Sequence, residues 1–371
     1  MSTIVSIVSY PFLPAKLGGQ KGIALFYKYF SKHQTLICVT TKNNDPAAAE
    51  GYSVINSIST SPVRYINIFL FFRIYTLIKK EKATHLILEH PYYGWLGILL
   101  KWASGIKLVV HSHNIESLRW KSLGKWWWPV LSAYEKRTHR QADYNFFKQE
   151  NDMAYAIEQF GLSKKKSAVI TYGIDWNAPP SAEEKLHCKL LLQQQHYLAP
   201  ETTIFLFNGT LDYAPNLQAV KIILEKINPY LLSAKANYTI IICGKGLPAG
   251  MDELKAYADK NIIYAGFVDD ISVYFKGADT FINPVIDGGG IKTKLVEALG
   301  YNMNAISTIS GAIGVPLEIT GNKMKIFADD DWKGFAAAMT TTGDSSDVPA
   351  AFFDHFYWEN IAVKASSFIQ Q

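Results

Sequence analysis

The chain has few cysteines, no membrane-length apolar run, and no long block of like charge. Its 371 residues include three cysteines, Cys38, Cys188 and Cys243. They are widely separated and show no metal-ligand spacing, so they read as plain core or surface residues in a reduced compartment. The longest apolar stretches, "INIFLFF" and "GWLGILLKWASGIKLVV", meet charge or glycine before reaching the roughly 20 residues a spanning helix needs. The start, "MSTIVSIVSYPFLP", lacks a basic n-region and runs straight into a strand pattern, which argues against a signal peptide and for a cytoplasmic protein. No short-period repeat or low-complexity tract appears. With 49% hydrophobic and 19% charged residues, the composition is globular rather than disordered or fibrous. The length is too great for one ordinary core and suits two domains.

What is present is strand–helix alternation, twice over. "TIVSIVSYPF" reads as a buried strand, followed by "LGG" and a helical pattern from Gly22 to Ser31. "QTLICVTT", "THLILEH" and "KLVVHSHN" are further short β-branched runs closed by polar or small residues. The pattern changes over 173–200, a Pro- and Gln-rich stretch with one amphipathic helix, which reads as linker and domain entry. "TIFLFNGT", "NYTIIICGKG", "NIIYAGFV", "DTFINPVI" and "NAISTIS" then repeat the theme. The expected class is α/β, two doubly wound parallel sheets with helices on both faces. In such sheets ligands bind outside the carboxyl ends of the strands, so the strand-to-helix loops carry the functional reading.

The most informative loop is "INPVIDGGGIKTKLVEALG", residues 282–300. Gly288, Gly289 and Gly290 allow close approach of the backbone to a ligand and positive φ. The exposed N–H groups opening the next helix favour an anion, and Lys292 and Lys294 add positive charge there. Glu297, placed about two helical turns in, is suited to accept hydrogen bonds from a pair of sugar hydroxyls. Taken alone, the stretch reads equally well as a flexible turn followed by surface lysines. "STISGAIGV" (307–315) is a second loop suited to an anion, with Gly311 and Gly314 spaced for a tight turn into a helix. "FNGTLDYAPN" (207–216) and "AGFVDD" (265–270) complete four small-residue loops at one sheet edge. In the first half, His111, His113, Asn114 and Glu116 form a polar cluster after an apolar strand. Strand alternation puts both histidines on one face, so His111 competes with His113 for any functional role. Glu89 and His90 close another strand at this edge and read as packing or loop residues.

These stretches, with "LPAKLGG", "HSHNIESLRW", "YEKRTHRQADYNFF" and "TYGID" in the first half, together resemble the family 4 retaining glycosyltransferases (glycosyl transferases group 1). The resemblance runs in order over nearly the whole chain. It implies the GT-B architecture, two Rossmann-like domains facing a central cleft. Residues 1–175, rejoined by a C-terminal helix at 350–371, would present the acceptor, and 176–349 would bind a nucleotide-diphosphate sugar. Glu297 matches the second glutamate of the family's E-x7-E motif, which holds the ribose. The first would fall at Gly289, so the chain looks like the subgroup with a GGG-x-K-x-K variant, and donor contacts fall to Gly288, Gly289, Gly290 and Ile291. The basic pair that neutralises the diphosphate in many relatives would fall near Thr210 and Asn216, neither of them basic. Lys292 or Lys294, with the helix N-terminus, is then expected to carry that charge. Gly18 and Gly19 match the glycine loop after the first strand, Gly209 and Thr210 the loop opening the second half, and Phe267 and Val268 the positions that flank the base. His113 matches the histidine beside the transferred sugar. The expected catalytic set is His113, Lys294 and Glu297.

No D-x-D motif follows a strand in the second half; "VDD" and "ADDD" read as helix caps or loop. The expectation is therefore no metal and no cofactor, with the leaving diphosphate stabilised by amides, helix dipole and lysines. Retention would follow, as in the family, by front-face attack. Partners are expected to be the nucleotide sugar and a glycan or lipid-linked acceptor. Basic residues over 101–140 and the tryptophans of "KWWWPVL" suit an anionic surface, which suggests peripheral association with the inner face of a membrane. Packing of these tryptophans in the core has slightly the better claim, and "RYINIFLFFRIYTLIKK" (64–80) is most simply a buried helix. Nucleic acid is a poor fit, with no basic recognition helix or stacking motif. A nicotinamide enzyme would need G-x-G-x-x-G after the first strand, and "SYPFLPAKLGG" is not one. A non-catalytic sugar-nucleotide binder of the same fold is the remaining alternative.

Overall fold

Strands buried on both faces need apolar side chains on both faces, and the sequence supplies such runs at short intervals. In the computed structural model, which describes residues 2–16, 18–341 and 343–371, each run becomes a parallel strand. The chain divides into two compact units, Met1–Asp175 with His355–Gln371, and Trp176–Asp354. Leu17, inside "LPAKLGG", lies outside the described residues.

The first unit holds β1 (Thr3–Val8), β2 (Thr35–Thr41), β3 (Ser53–Ile58), β4 (His85–Glu89), β5 (Lys107–Ser112), β6 (Tyr144–Phe147) and β7 (Ser167–Val169). Their order is β3-β2-β1-β4-β5-β6-β7. The chain builds outward from β1 in one direction and then, from β4, in the other, so β1 and β4 flank the point where strand order reverses. Val5, Ile7, Leu86, Leu88, Leu108 and Val110 cover one face and pack on Ile74, Leu96 and Leu100 of the covering helices. Each such buried side chain contributes about 1.5–3 kcal/mol. The last helix, Trp358–Ile369, packs against Gly18–Phe30. A bridge between Ile174 and Tyr357 ties it down, and Trp358 is fully buried.

The second unit repeats the plan with β8 (Thr203–Asn208), β9 (Tyr238–Cys243), β10 (Ile262–Gly266), β11 (Thr280–Asn283), β12 (Asn304–Thr308) and β13 (Met324–Phe327). The order is β10-β9-β8-β11-β12-β13, and here the reversal falls between β8 and β11. Phe205, Phe207, Ile240, Ile242, Ile282 and Ile306 form its core with Val220, Ile223 and Phe335. The helix Ala182–Gln195 opens on a complete capping box, with Ser181 and Glu184 each taking the other's backbone N–H.

Several local expectations need correction. The first helix begins at Gly18 rather than Gly22, so Gly18 and Gly19 form its first turn and are not a separate loop. Neither takes positive φ. The helix after the glycine triplet begins only at Thr293, because positive φ at Gly288 and Gly290 keeps the chain out of helical geometry. Glu297 therefore stands about one turn in rather than two. The loop at 307–315 leads into 3₁₀ turns, Ser310–Ala312 and Leu317–Ile319, and opens no α-helix. Nor do the tryptophans of "KWWWPVL" fill the core. Trp126 is 86% exposed, the Trp120 and Trp127 rings lie 5.1 Å apart, and the Lys121 ammonium sits 4.6 Å over Trp128. The indoles pack on one another and on basic side chains. Helix Phe69–Lys80 buries Leu70, Ile74 and Ile78 but leaves Phe69 and Phe72 exposed, so it is a surface helix. No helix among the described residues is long and apolar enough to cross a membrane.

Candidate active site

Each unit gathers polar groups where its strand order reverses, the position at which open α/β sheets bind ligands. In the first unit, β4 pairs with both neighbours, Glu89 lying opposite Val8 of β1 and opposite His111 of β5. That register sets three groups together. Glu89 Oε1 lies 3.0 Å from His111 Nδ1, and Oε2 lies 2.6 Å from His113 Nε2. Beside them stands a second carboxylate–imidazole pair: Glu116 Oε1 is 3.0 Å from His90 Nδ1, and Tyr10 OH is 3.0 Å from His90 Nε2. Glu116 also accepts from Tyr92 OH at 2.6 Å and Arg119 at 3.3 Å. The His90 and His113 rings are 4.3 Å apart. His90, at φ 68°, holds a backbone conformation that disfavours a side chain, a strain of the kind kept at functional sites. Glu135 accepts from the backbone N–H of Glu116 and Ser117, both at 2.9 Å, and so anchors the helix carrying Glu116.

Burial sets the charges. It pushes the His113 and His111 imidazoles below their ordinary value, His113 well below, so both are neutral at pH 7. Burial works against ionising Glu89, but its interactions with His111 and His113 outweigh it and hold the carboxyl well below the usual range. Glu116 likewise falls to about 2 through His90, Tyr92 and Arg119 against the cost of burial. Lys148, directly after β6, is buried among Phe26 and Trp358, and its Nζ has no hydrogen-bond partner. Burial lowers it to about 8, with the Glu89 charge opposing the fall.

Sequence reasoning placed His113, His111 and Glu116 together but misjudged Glu89 and His90, which are at the centre of the cluster rather than in packing roles. Lys148 was missed; a lysine closing an apolar strand at the same sheet edge was the available signal. Glu89, His111 and His113 are also the group of described residues whose ligand atoms, within 4.8 Å of one another, could hold a metal ion. Gly19 has open space where a Cβ would sit.

In the second unit the groups belong to the main chain. Gly288 and Gly290 have φ of 92° and 74°. A Cβ on Gly288 would come within 3.0 Å of Tyr213 OH and 3.2 Å of Pro215, so the loops after β8 and β11 meet here. Lys292, the N-cap residue of helix Thr293–Gly300, turns back and donates to Gly288 O and Gly290 O, clamping the glycine loop. Its ammonium is lowered by burial. Lys294 donates to Glu297 at 2.7 Å, and Glu297 is buried. Gly289 and Ile291 lie within the same turn. Gly209 packs against Asn216, whose amide donates to Thr210 O at 3.0 Å. Phe267, 71% exposed, and Val268 line a separate groove of about 720 Å³ with Leu191, His196 and Tyr274.

The other loops are already satisfied. In "STISGAIGV", Asp329 accepts from Ser310 N and Oγ at 3.0 and 2.6 Å, and Thr308 Oγ1 accepts from Gly311 N at 3.0 Å. A carboxylate therefore already occupies part of this expected anion loop. Asp270 caps the helix Ile271–Gly277 and Asp331 caps Trp332–Met339, as read from "VDD" and "ADDD".

Residues 26–177 match the family described as Glycosyltransferase Family 4, and residues 202–343 match Glycosyl transferases group 1. An uncharacterised 44.6 kDa protein of the cps region of Klebsiella pneumoniae is 28% identical over 115 residues, 29% of this chain and 30% of that protein. The chain thus matches less than a third of this relative's length. Among solved structures, sucrose-phosphate synthase from Thermosynechococcus elongatus aligns over 100% of this chain and 99% of its own, with TM-score 0.70 and 14% identity. Anabaena HepE in complex with UDP-glucose aligns over 100% of both chains, with TM-score 0.70 and 15% identity. These structural neighbours share the fold, two parallel-sheet Rossmann-like domains of the GT-B glycosyltransferases. Both family matches, one on each half of the chain, are to glycosyltransferases.

Proposed function

Taking that family as the premise, we propose that the protein is a retaining hexosyltransferase. It moves a sugar from a nucleotide-diphosphate sugar to a glycan or lipid-linked acceptor without a metal or cofactor. The observation that carries this reading is the glycine turn 288–290, held in positive φ at the reversal point and followed by Lys292, Lys294 and Glu297. Amides and a helix N-terminus there favour a diphosphate. Glu297 takes the ribose hydroxyls, and on donor binding Lys294 exchanges its contact with Glu297 for the diphosphate. The bond from the anomeric carbon to the diphosphate oxygen breaks first. The departing phosphate then takes the proton of the acceptor hydroxyl as that oxygen bonds the same face of the sugar. No side chain acts as nucleophile; the protein supplies position and electrostatics. His113, neutral at pH 7, offers a lone pair to a hydroxyl of the transferred sugar. The UDP-glucose in HepE makes uridine donors the first to test. The exposed Phe69, Phe72 and Trp126, with basic neighbours such as Arg73 and Lys125, support a lipid-linked acceptor met at an anionic membrane surface.

The competing reading, a sugar-nucleotide binder without turnover, is favoured by the lack of a basic residue at Thr210 and Asn216. Incubation with radiolabelled nucleotide sugars separates the two. Slow release of free sugar, abolished in Lys294→Ala, supports the transferase. Saturable binding with no release over hours supports the binder.

A further inference from the structure

We infer that Glu89 is a positioning residue, one carboxylate accepting an N–H from each of two imidazoles and so fixing the tautomers of His113 and His111. An ionised carboxylate only accepts hydrogen bonds, so each ring nitrogen facing it must carry the proton. His113 is therefore protonated at Nε2, which lies 2.6 Å from Oε2, and His111 at Nδ1, which lies 3.0 Å from Oε1. In a neutral ring the other nitrogen is left as an acceptor. For His113 that atom is Nδ1, since the bond to Glu89 is the side chain's one hydrogen bond among the described residues. For His111 it is Nε2, buried without a partner.

The lock is rigid for reasons of fold. Glu89 ends a central strand, is fully flanked by β1 and β5, and is 2% exposed. A buried carboxylate with no counter-charge is costly, and the unpartnered ammonium of Lys148 supplies that charge from the next strand-end but one. The short distances favour proton sharing over an ion. Tetrahedral bonds of 2.0–2.1 Å would hold ligand atoms about 3.3 Å apart, against 2.6 and 3.0 Å here. The inference uses the sugar-transfer reading only for its consequence on rate, that an acceptor nitrogen on His113 is what the transferred sugar meets.

The test is Glu89→Gln, of nearly the same shape. Its carboxamide has one accepting oxygen and one donating nitrogen, so it cannot take protons from both rings. In protein labelled with ¹⁵N-histidine, with signals assigned by His111→Gln and His113→Gln, the unaltered chain should show His113 protonated at Nε2 and His111 at Nδ1. At least one of them should switch tautomer in Glu89→Gln, and neither in Glu89→Asp. Turnover in Glu89→Gln should fall about 100-fold, with donor KM within about threefold, and Glu89→Asp should recover part of the loss. The inference is overturned by the opposite tautomers in the unaltered chain, or by unchanged tautomers in a folded Glu89→Gln protein. Full turnover in Glu89→Gln, or a stoichiometric metal in the purified protein, also overturns it. If the unaltered chain turns over no sugar nucleotide, the transfer reading fails and the tautomer measurement alone decides this one.

Discussion

At the reversal point of the first sheet the polar atoms belong to side chains: Glu89 is hydrogen-bonded to His111 and His113, and Glu116 to His90, at 2.6–3.0 Å. At the reversal point of the second they belong to the backbone, a glycine turn with two positive φ angles clamped by Lys292. The same topology thus builds two kinds of site. The first responds to pH and depends on which atom holds a proton. The second depends on backbone shape. A diphosphate, whose charge is fixed near neutral pH, suits the second; aligning a neutral sugar suits the first.

The largest expected effect falls on the second unit, where the loops after β8 and β9 touch. Gly244, at φ 150°, would place a Cβ 1.8 Å from Gly209 O. Gly244→Ala should cost about 3 kcal/mol or more through strain and overlap. Thermal unfolding should show the loss in the second unit while the ¹⁵N signals of His113 stay unchanged; a cost below about 1 kcal/mol would contradict the crowding.

Acid should weaken the side-chain site next. His111, His113 and His139 are buried and lowered, His139 to about 4. The unfolded chain therefore binds their protons from about pH 6.5 downward while the folded chain resists. That stability is present above 6.5 and lost as pH falls. Glu135 and Asp152, raised by burial to about 7 and 6, act in the opposite sense. The lowered histidines, which also include His85 and His196, outnumber these two carboxyls, so the folded state should lose stability between pH 6 and pH 5. Melting curves at those two values check it, and a higher melting temperature at pH 5 would contradict it.

How legible all this was in the sequence follows the same division. The strands were readable because buried parallel strands need unbroken apolar runs such as "TIIIC". The glycine turn was readable because three adjacent glycines stand out wherever they fall. Glu89 was not, because its role depends on β4 and β5 pairing in one register, which sets it opposite a histidine 22 residues away. The tryptophans of "KWWWPVL" misled because indole suits a core and a basic surface alike. The loop at 307–315 misled because Asp329, a strand away in sequence, takes the Ser310 N–H.

Two smaller effects sharpen the contrast. Glu297→Ala should weaken nucleotide binding by about 1–3 kcal/mol, by removing a charged acceptor; unchanged affinity in calorimetric titration would take Glu297 out of the site. Lys294→Ala should change folding stability by less than about 1 kcal/mol, since its pair with Glu297 is partly exposed. It should nonetheless lower affinity for UDP more than for uridine, which has no diphosphate. Equal losses for the two ligands would mean that Lys294 does not meet the phosphates.

The most direct measurement is a crystal structure of the protein soaked with UDP. The account predicts diphosphate oxygens at about 2.7–3.2 Å from backbone nitrogens between Gly288 and Thr293, with the ribose on Glu297. A diphosphate bound elsewhere, or a glycine turn that stays closed on itself with UDP bound, would contradict it.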